Sequence, residues 1–169
     1  SEKNAEVISR DILNAVGTSL IVGDLFFNPF KFEYNGYKYP KDRGYAFETA
    51  LNKNTSNILD RKMSYYADLE QEAYIPSIVF SPTVVNDGMR IIINSIPMSF
   101  MCLSGQRPSK PEDIDGVEFM RLFEAHDAEN LRYTSAIRMS ATFPYITPLV
   151  RLPSNPTIET IDAGARDNN

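Results

Sequence analysis

The first part of the chain has the spacing of apolar residues that is typical of a helix. Apolar positions recur every three or four residues over 1–16, and Gly17 interrupts this pattern. A second apolar segment follows over 20–27. The pattern therefore predicts a helix over 1–16 and a further apolar element after it.

Residues 28–44 are rich in Pro, Asn, Gly, Tyr and Lys, which predicts a long ordered loop. Asp42 can cap a helix running over 44–51, because its side chain can accept a free backbone N–H of the first turn. The aromatic residues of the loop could form a binding face, although packing of the loop onto a core also explains them. These residues are Phe30, Phe32, Tyr34, Tyr37 and Tyr39.

From residue 74 the pattern changes to that of strands. Segments 75–80 and 89–94 are rich in Ile and Val, and Asn86-Asp87-Gly88 between them favours a hairpin turn. This turn accounts for Asn86 and Asp87, which are therefore excluded from the candidate site. Pro97 cannot donate to a sheet, so it is expected to precede a further strand over 98–103.

The next segments predict a surface loop over 104–115 and a short helix over 116–123. The clearest helical pattern covers 127–143, where Asp127 can serve as the N-cap and Pro144 ends the helix. Small and apolar residues share one face, which would let this helix lie close to a sheet. That face contains Tyr133, Ala136, Ile137, Ser140 and Ala141.

The end of the chain places a carboxylate directly after an apolar strand. Residues 157–161 alternate β-branched and polar positions, Asp162 follows, and Gly164 allows a turn. Open α/β sheets gather their ligands at the carboxyl ends of their strands, so Asp162 is a candidate catalytic residue. An Asp followed closely by Gly is also ordinary turn chemistry, which leaves a structural interpretation open.

Three blocks of the sequence resemble the patatin-like phospholipases, in particular a bacterial branch of that family. They are IPSIVFSPTVVNDGMRIIINSIPMSFM (75–101), ENLRYTSAIRMSATFPYITP (129–148) and IETIDAGARDNN (158–169). In that family an Asp-Gly-Gly or Asp-Gly-Ala motif supplies the Asp of a Ser-Asp dyad. The resemblance implies that Asp162 is this residue. The chain departs from the pattern by having Ala163 after the Asp.

The chain lacks the two other motifs of a patatin-type domain, a glycine-rich oxyanion loop and a Gly-x-Ser-x-Gly nucleophile elbow. Its nearest approach, Gly17-Thr18-Ser19-Leu20-Ile21, has no closing glycine, and Ser19 is interpreted as structural. The family carries both motifs before the region matched here. We therefore expect residues 1–169 to be a single piece, the C-terminal portion of a patatin-like catalytic domain. The expected fold is α/β, a partial three-layer α/β/α domain with a mainly β central portion and flanking helices.

The function implied by the resemblance is hydrolysis of acyl esters, in particular those of phospholipids or other lipids. Asp162 would take the proton of a serine supplied from outside this chain, and Ile161, Ala163 and Ala165 could exclude water around it. The chain alone is expected to be inactive. Two alternatives remain open: a non-catalytic module with the patatin fold that serves in binding or assembly, and an unrelated α/β domain. No cofactor, metal site or oxyanion donor is expected within this chain, and substrate-binding residues cannot be assigned.

Composition narrows the possible partners. With 43% hydrophobic residues in 169, the chain can bury a core, and the net charge of −5 offers no basic field for nucleic acid. It contains neither a signal-peptide pattern nor an apolar run of the roughly 18 residues that a membrane span requires. The parent protein is expected to be cytoplasmic or membrane-associated, with a lipid or acyl-ester substrate. An unpaired sheet edge would favour self-association.

The only histidine and the only cysteine have structural interpretations. His126 precedes the predicted helix over 127–143, and nothing in its spacing favours a Ser-His-Asp triad. Cys102 lies among apolar residues and is interpreted as a small core residue, and a single cysteine excludes an internal disulfide.

Overall fold

The computed structural model describes residues 16–17, 31–34, 37–103, 114–143 and 146–166. The chain divides into two compact units, Ser1–Asp60 with Phe143–Pro148, and Arg61–Thr142 with Leu149–Asn169. Of the helix predicted over 1–16, only Val16 is described. Val16 and Gly17 are both helical, and Val16 is buried. Ser19 and the apolar segment over 20–27 lie outside the described residues.

The first unit contains a hairpin where the sequence predicted a loop. Strand β1 (Lys31–Tyr34) pairs antiparallel with β2 (Tyr37–Pro40). Phe32 lies opposite Tyr39, their rings stack with centroids 5.5 Å apart, and the Phe32 ring lies 4.8 Å from that of Tyr45. The loop prediction is therefore wrong over these strands, because cross-strand aromatic pairing orders them. Phe32 therefore packs against Tyr39 and Tyr45, and Tyr39 remains 42% exposed.

Helix α1 (Arg43–Asn54) confirms the helix predicted over 44–51 and extends it at its carboxyl end. Asp42 is its N-cap, since the Tyr45 N–H donates to Asp42 Oδ1 at 2.9 Å. At the other end the Thr55 hydroxyl donates to the Leu51 carbonyl at 2.9 Å. Side chains therefore satisfy backbone groups at both ends of α1.

The second unit is built around a five-stranded mixed sheet with helices. In chain order the elements are α2 (Ser64–Gln71), β3 (Thr83–Val84), β4 (Arg90–Ile92), β5 (Gly116–Glu118), α3 (Phe119–Leu122), α4 (Tyr133–Ser140), β6 (Val150–Leu152) and β7 (Ile158–Ile161). The sheet order is β5-β4-β3-β7-β6. Only the β4–β5 pair is parallel, and the other three pairs are antiparallel. The α/β class predicted from sequence is confirmed.

The hairpin between β3 and β4 confirms the predicted turn at residues 86–88. Gly88 has a φ of +75°, and the Met89 N–H donates to Asp87 Oδ1 at 2.9 Å. The Val84 and Met89 backbones close the turn with a 2.8 Å hydrogen bond. The left-handed backbone at Gly88 explains why a glycine occupies this position.

Two predicted strands are shorter or different in the structure. Segment 75–80 contributes only an isolated bridge between Phe80 and Ile93, so the predicted strand is wrong over most of its length. Segment 98–103 forms a 3₁₀ turn, Ser99–Cys102, instead of a strand. The buried Glu118 carboxylate accepts the Met98 N–H at 2.7 Å and the Ser99 hydroxyl at 2.5 Å. These bonds fix the chain where the turn begins.

The helix predicted over 116–123 is wrong in its first half, which forms β5, and right in its second half, which forms α3. The helix predicted over 127–143 is reduced to α4. Asp127 has a φ of 52° between two 3₁₀ turns and does not cap α4. The chain before α4 pairs instead with residues near Met63, since the Met63 N–H donates to the Leu131 carbonyl at 2.8 Å. This pairing keeps it extended.

In the core of the second unit, a side chain of α4 packs with one of α2 and with Phe80, which forms an isolated bridge with Ile93. Tyr133 on α4 lies between two aromatic rings, with centroid distances of 4.9 Å to Tyr66 and 5.2 Å to Phe80. The buried residues of α4 are Tyr133, Thr134, Ala136 and Met139, whereas Ala141 beyond its end is exposed. Of the residues predicted to share one packed face of this helix, Tyr133 and Ala136 are therefore buried as predicted.

Two fully buried threonines of this unit differ in their hydrogen bonds. Among the described residues the Thr134 hydroxyl has no hydrogen-bond partner, whereas the Thr142 hydroxyl donates to the Arg138 carbonyl at 2.8 Å. Valine has the same shape without the hydroxyl. Thr134→Val should therefore raise the free energy of unfolding by about 1 kcal/mol, and Thr142→Val should lower it by about 1 kcal/mol. Urea unfolding of both variants checks these signs, and a loss of stability in Thr134→Val would contradict the unpaired hydroxyl.

Tyr133 is expected to make the protein sensitive to alkali. Burial raises the pKa of Tyr133 to about 12 from 10.0, and the neighbouring Glu70 and Tyr66 add to this effect. Its phenol ionises first in the unfolded chain, so stability present below pH 10.0 should be lost as pH rises to about 12. The loss should be on the order of 2 kcal/mol. Tyr133→Phe should remove this part of the pH dependence, whereas Tyr65→Phe, at an exposed tyrosine, should keep it.

Candidate functional site

Asp162 directly follows β7, as the sequence predicts. Its N–H donates to the Thr142 carbonyl, just beyond α4, at 3.0 Å, and α4 itself contacts β7. The residue is half-buried. The helix with the small face and the strand that carries the candidate aspartate are therefore neighbours.

The Asp162 carboxylate receives no hydrogen bond within the part of the chain that the structure describes. Its side chain does not cap the 3₁₀ turn Ala163–Ala165 that follows. A Cβ atom at Gly164 would lie 3.2 Å from Asp162 Oδ2, and Gly164 has no left-handed φ. The glycine therefore leaves room for the carboxylate rather than supplying an unusual backbone conformation.

The residues around Asp162 only partly exclude water. Ile161 and Ala163 are half-buried, whereas Ala165 is exposed. The prediction that all three shield the carboxylate is therefore wrong for Ala165, which lies on the open side of the turn. Ala163 fits within the 3₁₀ turn, so the Asp-Ala-Gly sequence is compatible with this conformation.

The register of the sheet sets the level at which Asp162 lies. Ile161 is opposite Thr83, Thr83 is opposite Arg90, and Arg90 is opposite Gly116. The carboxyl end of β7 is therefore level with the amino ends of β4 and β5. Among the described strands, Asp162 does not share an edge with the carboxyl ends of several parallel strands. This differs from the edge that the sequence led us to expect, because β7 is staggered relative to β4.

Three charged residues form a cluster beside this turn, which we call the Arg90–Asp115–Arg166 cluster. Arg166 Nη2 contacts Asp115 Oδ1, and Arg90 Nη2 contacts Asp115 Oδ2. Arg166 Nη1 also donates to the Asp115 carbonyl at 3.0 Å. The cluster thus joins Arg166, which follows the Asp162 turn, to Arg90 at the start of β4 and to Asp115 just before β5.

The Asp115 backbone is held independently of the ion pairs. Its N–H donates to the Cys102 carbonyl at 2.9 Å, and its carbonyl accepts the Arg90 N–H at 3.3 Å. The next residue, Gly116, has no space for a side chain, because a Cβ there would lie 2.8 Å from the Arg90 carbonyl oxygen. Asp115 is therefore a fixed point at the start of β5.

His126, Cys102 and Asn86, which were also considered from sequence, lie in turns of the structure. His126 is exposed at the end of a 3₁₀ turn, with its ring 6.3 Å from that of Phe123. Burial raises the pKa of the Cys102 thiol, and the nearby Glu118 charge raises it further. Cys102 is buried, as predicted, although in a 3₁₀ turn rather than a strand. Asn86 Oδ1 accepts the Glu159 N–H at 3.3 Å, in keeping with its turn position.

No sequence pattern indicated Arg90 or Asp115 as site residues. No short motif contains both Arg90 and Asp115, which meet only when β4 and β5 pair. The Arg166 guanidinium binds Asp115, a contact between residues far apart in the chain.

The described part of the chain contains no group of three or more His, Cys, Asp or Glu residues arranged to hold a metal ion. Among the same residues, no helix has both the length and the apolar composition needed to cross a bilayer.

Comparison of the chain with protein-family models, with curated proteins and with solved structures finds no match.

Proposed function

We propose that this chain contributes the aspartate of a Ser-Asp dyad to a lipid acyl hydrolase of the patatin-like type, with Asp162 as the general base. The observation that carries the proposal is a half-buried aspartate, directly after a strand, whose carboxylate receives no hydrogen bond from any described residue. The patatin-like three-layer arrangement is part of the proposal. The contact of α4 with β7 would supply one of its helix–sheet contacts.

A carboxylate that receives no hydrogen bond from the described residues suits the chemistry of a dyad. The base must accept the serine proton as the serine oxygen attacks the acyl carbonyl, and the resulting acyl-enzyme is then hydrolysed by water. Hydrogen bonds donated to a carboxylate stabilise its charged form and weaken it as a base. A carboxylate without such donors keeps its lone pairs available for the serine hydroxyl. The serine and the oxyanion donors would come from sequence outside these residues.

The stagger of β7 favours a second candidate function, a non-catalytic binding or assembly module. A catalytic aspartate in an open parallel sheet is expected at an edge shared by several carboxyl ends. The end of β7 is instead level with the amino ends of β4 and β5. The two functions require different motifs elsewhere in the full-length protein. Only the hydrolase requires a glycine-rich loop and a Gly-x-Ser-x-Gly elbow.

Assays of the chain alone and of the full-length protein test the proposed function. A p-nitrophenyl acyl ester should be hydrolysed by the full-length protein and not by the 169-residue chain, because the chain has no elbow serine. Turnover by the chain alone that survives Asp162→Ala would contradict the dyad and indicate a different site. A full-length protein that folds but hydrolyses no acyl ester would favour the binding module.

A further inference from the structure

The turn that carries Asp162 is fastened to the sheet at both ends. At its start, β7 pairs with β3 and the Asp162 N–H donates to the Thr142 carbonyl at 3.0 Å. At its end, Arg166 binds Asp115 through the carboxylate and, at 3.0 Å, through the backbone carbonyl. Within the turn, the Ala165 N–H donates to the Asp162 carbonyl at 3.2 Å. The backbone therefore sets where the Asp162 side chain begins.

The fastening at Arg166 matters because none of the described residues, Arg166 included, donates a hydrogen bond to the Asp162 carboxylate. A side chain that receives no hydrogen bond is positioned by its backbone and by steric contacts alone. Gly164 leaves space next to Asp162 Oδ2, so the carboxylate can shift if the turn moves. A displacement of about 1 Å in a reacting group can lower a rate by about a hundredfold.

We infer that Arg166 is a positioning residue for Asp162, and that Asp115, oriented by Arg90, is its anchor. The inference rests on the proposed function of Asp162 as a dyad base. Arg166 acts through the turn and does not itself touch the substrate. Its planar guanidinium can bind a carboxylate and a carbonyl together, which a lysine ammonium does less well.

The chain offers a matched control for the loss of an arginine–carboxylate pair. Arg151 on β6 donates to Glu159 on β7 at 2.8 Å, and the Arg151 side chain is 77% exposed. This pair lies on the strand that leads to Asp162 but does not fasten the turn. Exposed ion pairs contribute little to stability, so Arg151→Gln should leave activity and folding unchanged.

The experiment compares Arg166→Gln, Arg166→Lys, Asp115→Asn and Arg151→Gln in the full-length protein, with Asp162→Asn measured in parallel. Arg166→Gln and Asp115→Asn should each lower kcat about tenfold or more with KM nearly unchanged, because orientation and not substrate binding is lost. Arg166→Lys should recover part of the loss. Combining Arg166→Gln with Asp115→Asn should add little to either change, since both remove the same contact.

A second measurement follows the turn without using activity. Amide hydrogen exchange at Ala165 should become faster in Arg166→Gln and stay unchanged in Arg151→Gln. If Asp162→Asn is inactive but Arg166→Gln matches the Arg151→Gln control in kcat and exchange, the positioning role is wrong and the dyad stands. If Asp162→Asn is folded and fully active, the dyad itself is wrong, and the positioning role fails with it.

Discussion

Replacing Asp162 with asparagine should lower ester hydrolysis by the full-length protein on the order of a hundredfold or more, while the protein remains folded. The amide keeps the shape of the side chain but cannot accept a proton from the serine of the proposed dyad. The fold should tolerate the change because no described residue donates a hydrogen bond to the Asp162 carboxylate. The backbone bond to Thr142 is unaffected by the substitution.

Turnover and thermal unfolding should be measured on the same preparation. Asp87→Asn is a suitable control, because Asp87 is an exposed turn residue whose side chain accepts the Met89 N–H. Asp87→Asn should retain activity. A purely structural Asp162 would show the opposite pattern, in which the melting temperature falls and activity declines only with the amount of folded protein.

Replacing Gly116 with alanine should lower the free energy of unfolding by about 1 to 3 kcal/mol. The added Cβ would lie 2.8 Å from the Arg90 carbonyl oxygen, which belongs to the backbone of β4 and cannot rotate away. Relief requires β5 to move relative to β4, the only parallel strand pair in the described sheet. Asp115, one residue earlier, would move with it.

Gly164→Ala provides the comparison, because its Cβ would meet the Asp162 carboxylate at 3.2 Å. A carboxylate is the end of a rotatable side chain, so the stability loss should be smaller than in Gly116→Ala. Under the proposed dyad activity should nevertheless fall, because the Asp162 carboxylate, the proposed base, is displaced. Urea unfolding compares the free energies of unfolding of the two variants. If Gly164→Ala is the less stable protein, the contact between β4 and β5 can relax.

The features predicted correctly from sequence are those that short segments determine. Asp42 caps α1, Gly88 supplies a left-handed backbone, and Asp162 follows β7, each within a few residues of the pattern that predicted it. The hairpin of β1 and β2 could also have been predicted. Asn35-Gly36, a strong hairpin dipeptide, lies between two segments in which aromatic and charged residues alternate.

The features missed from sequence depend on residues that are far apart in the chain. Segment 98–103 has an apolar composition that suits a strand, but Glu118 binds its beginning and a 3₁₀ turn results. Asp127 has the side chain of a helix cap, yet pairing between Met63 and Leu131 delays the start of α4. Both cases show tertiary hydrogen bonds overriding local preference.

The division of the chain into two units determines which residues stay together after proteolysis. Residues Phe143–Pro148 belong to the first unit, although the residues on either side of them, in α4 and β6, belong to the second. The polypeptide therefore crosses between the units three times: after Asp60, after Thr142 and after Pro148. One proteolytic nick after Asp60 would leave residues 143–148 covalently joined to the piece that contains Asp162. A proteolytic fragment that starts at Arg61 would keep residues 143–148 of the first unit but would lack residues 1–60.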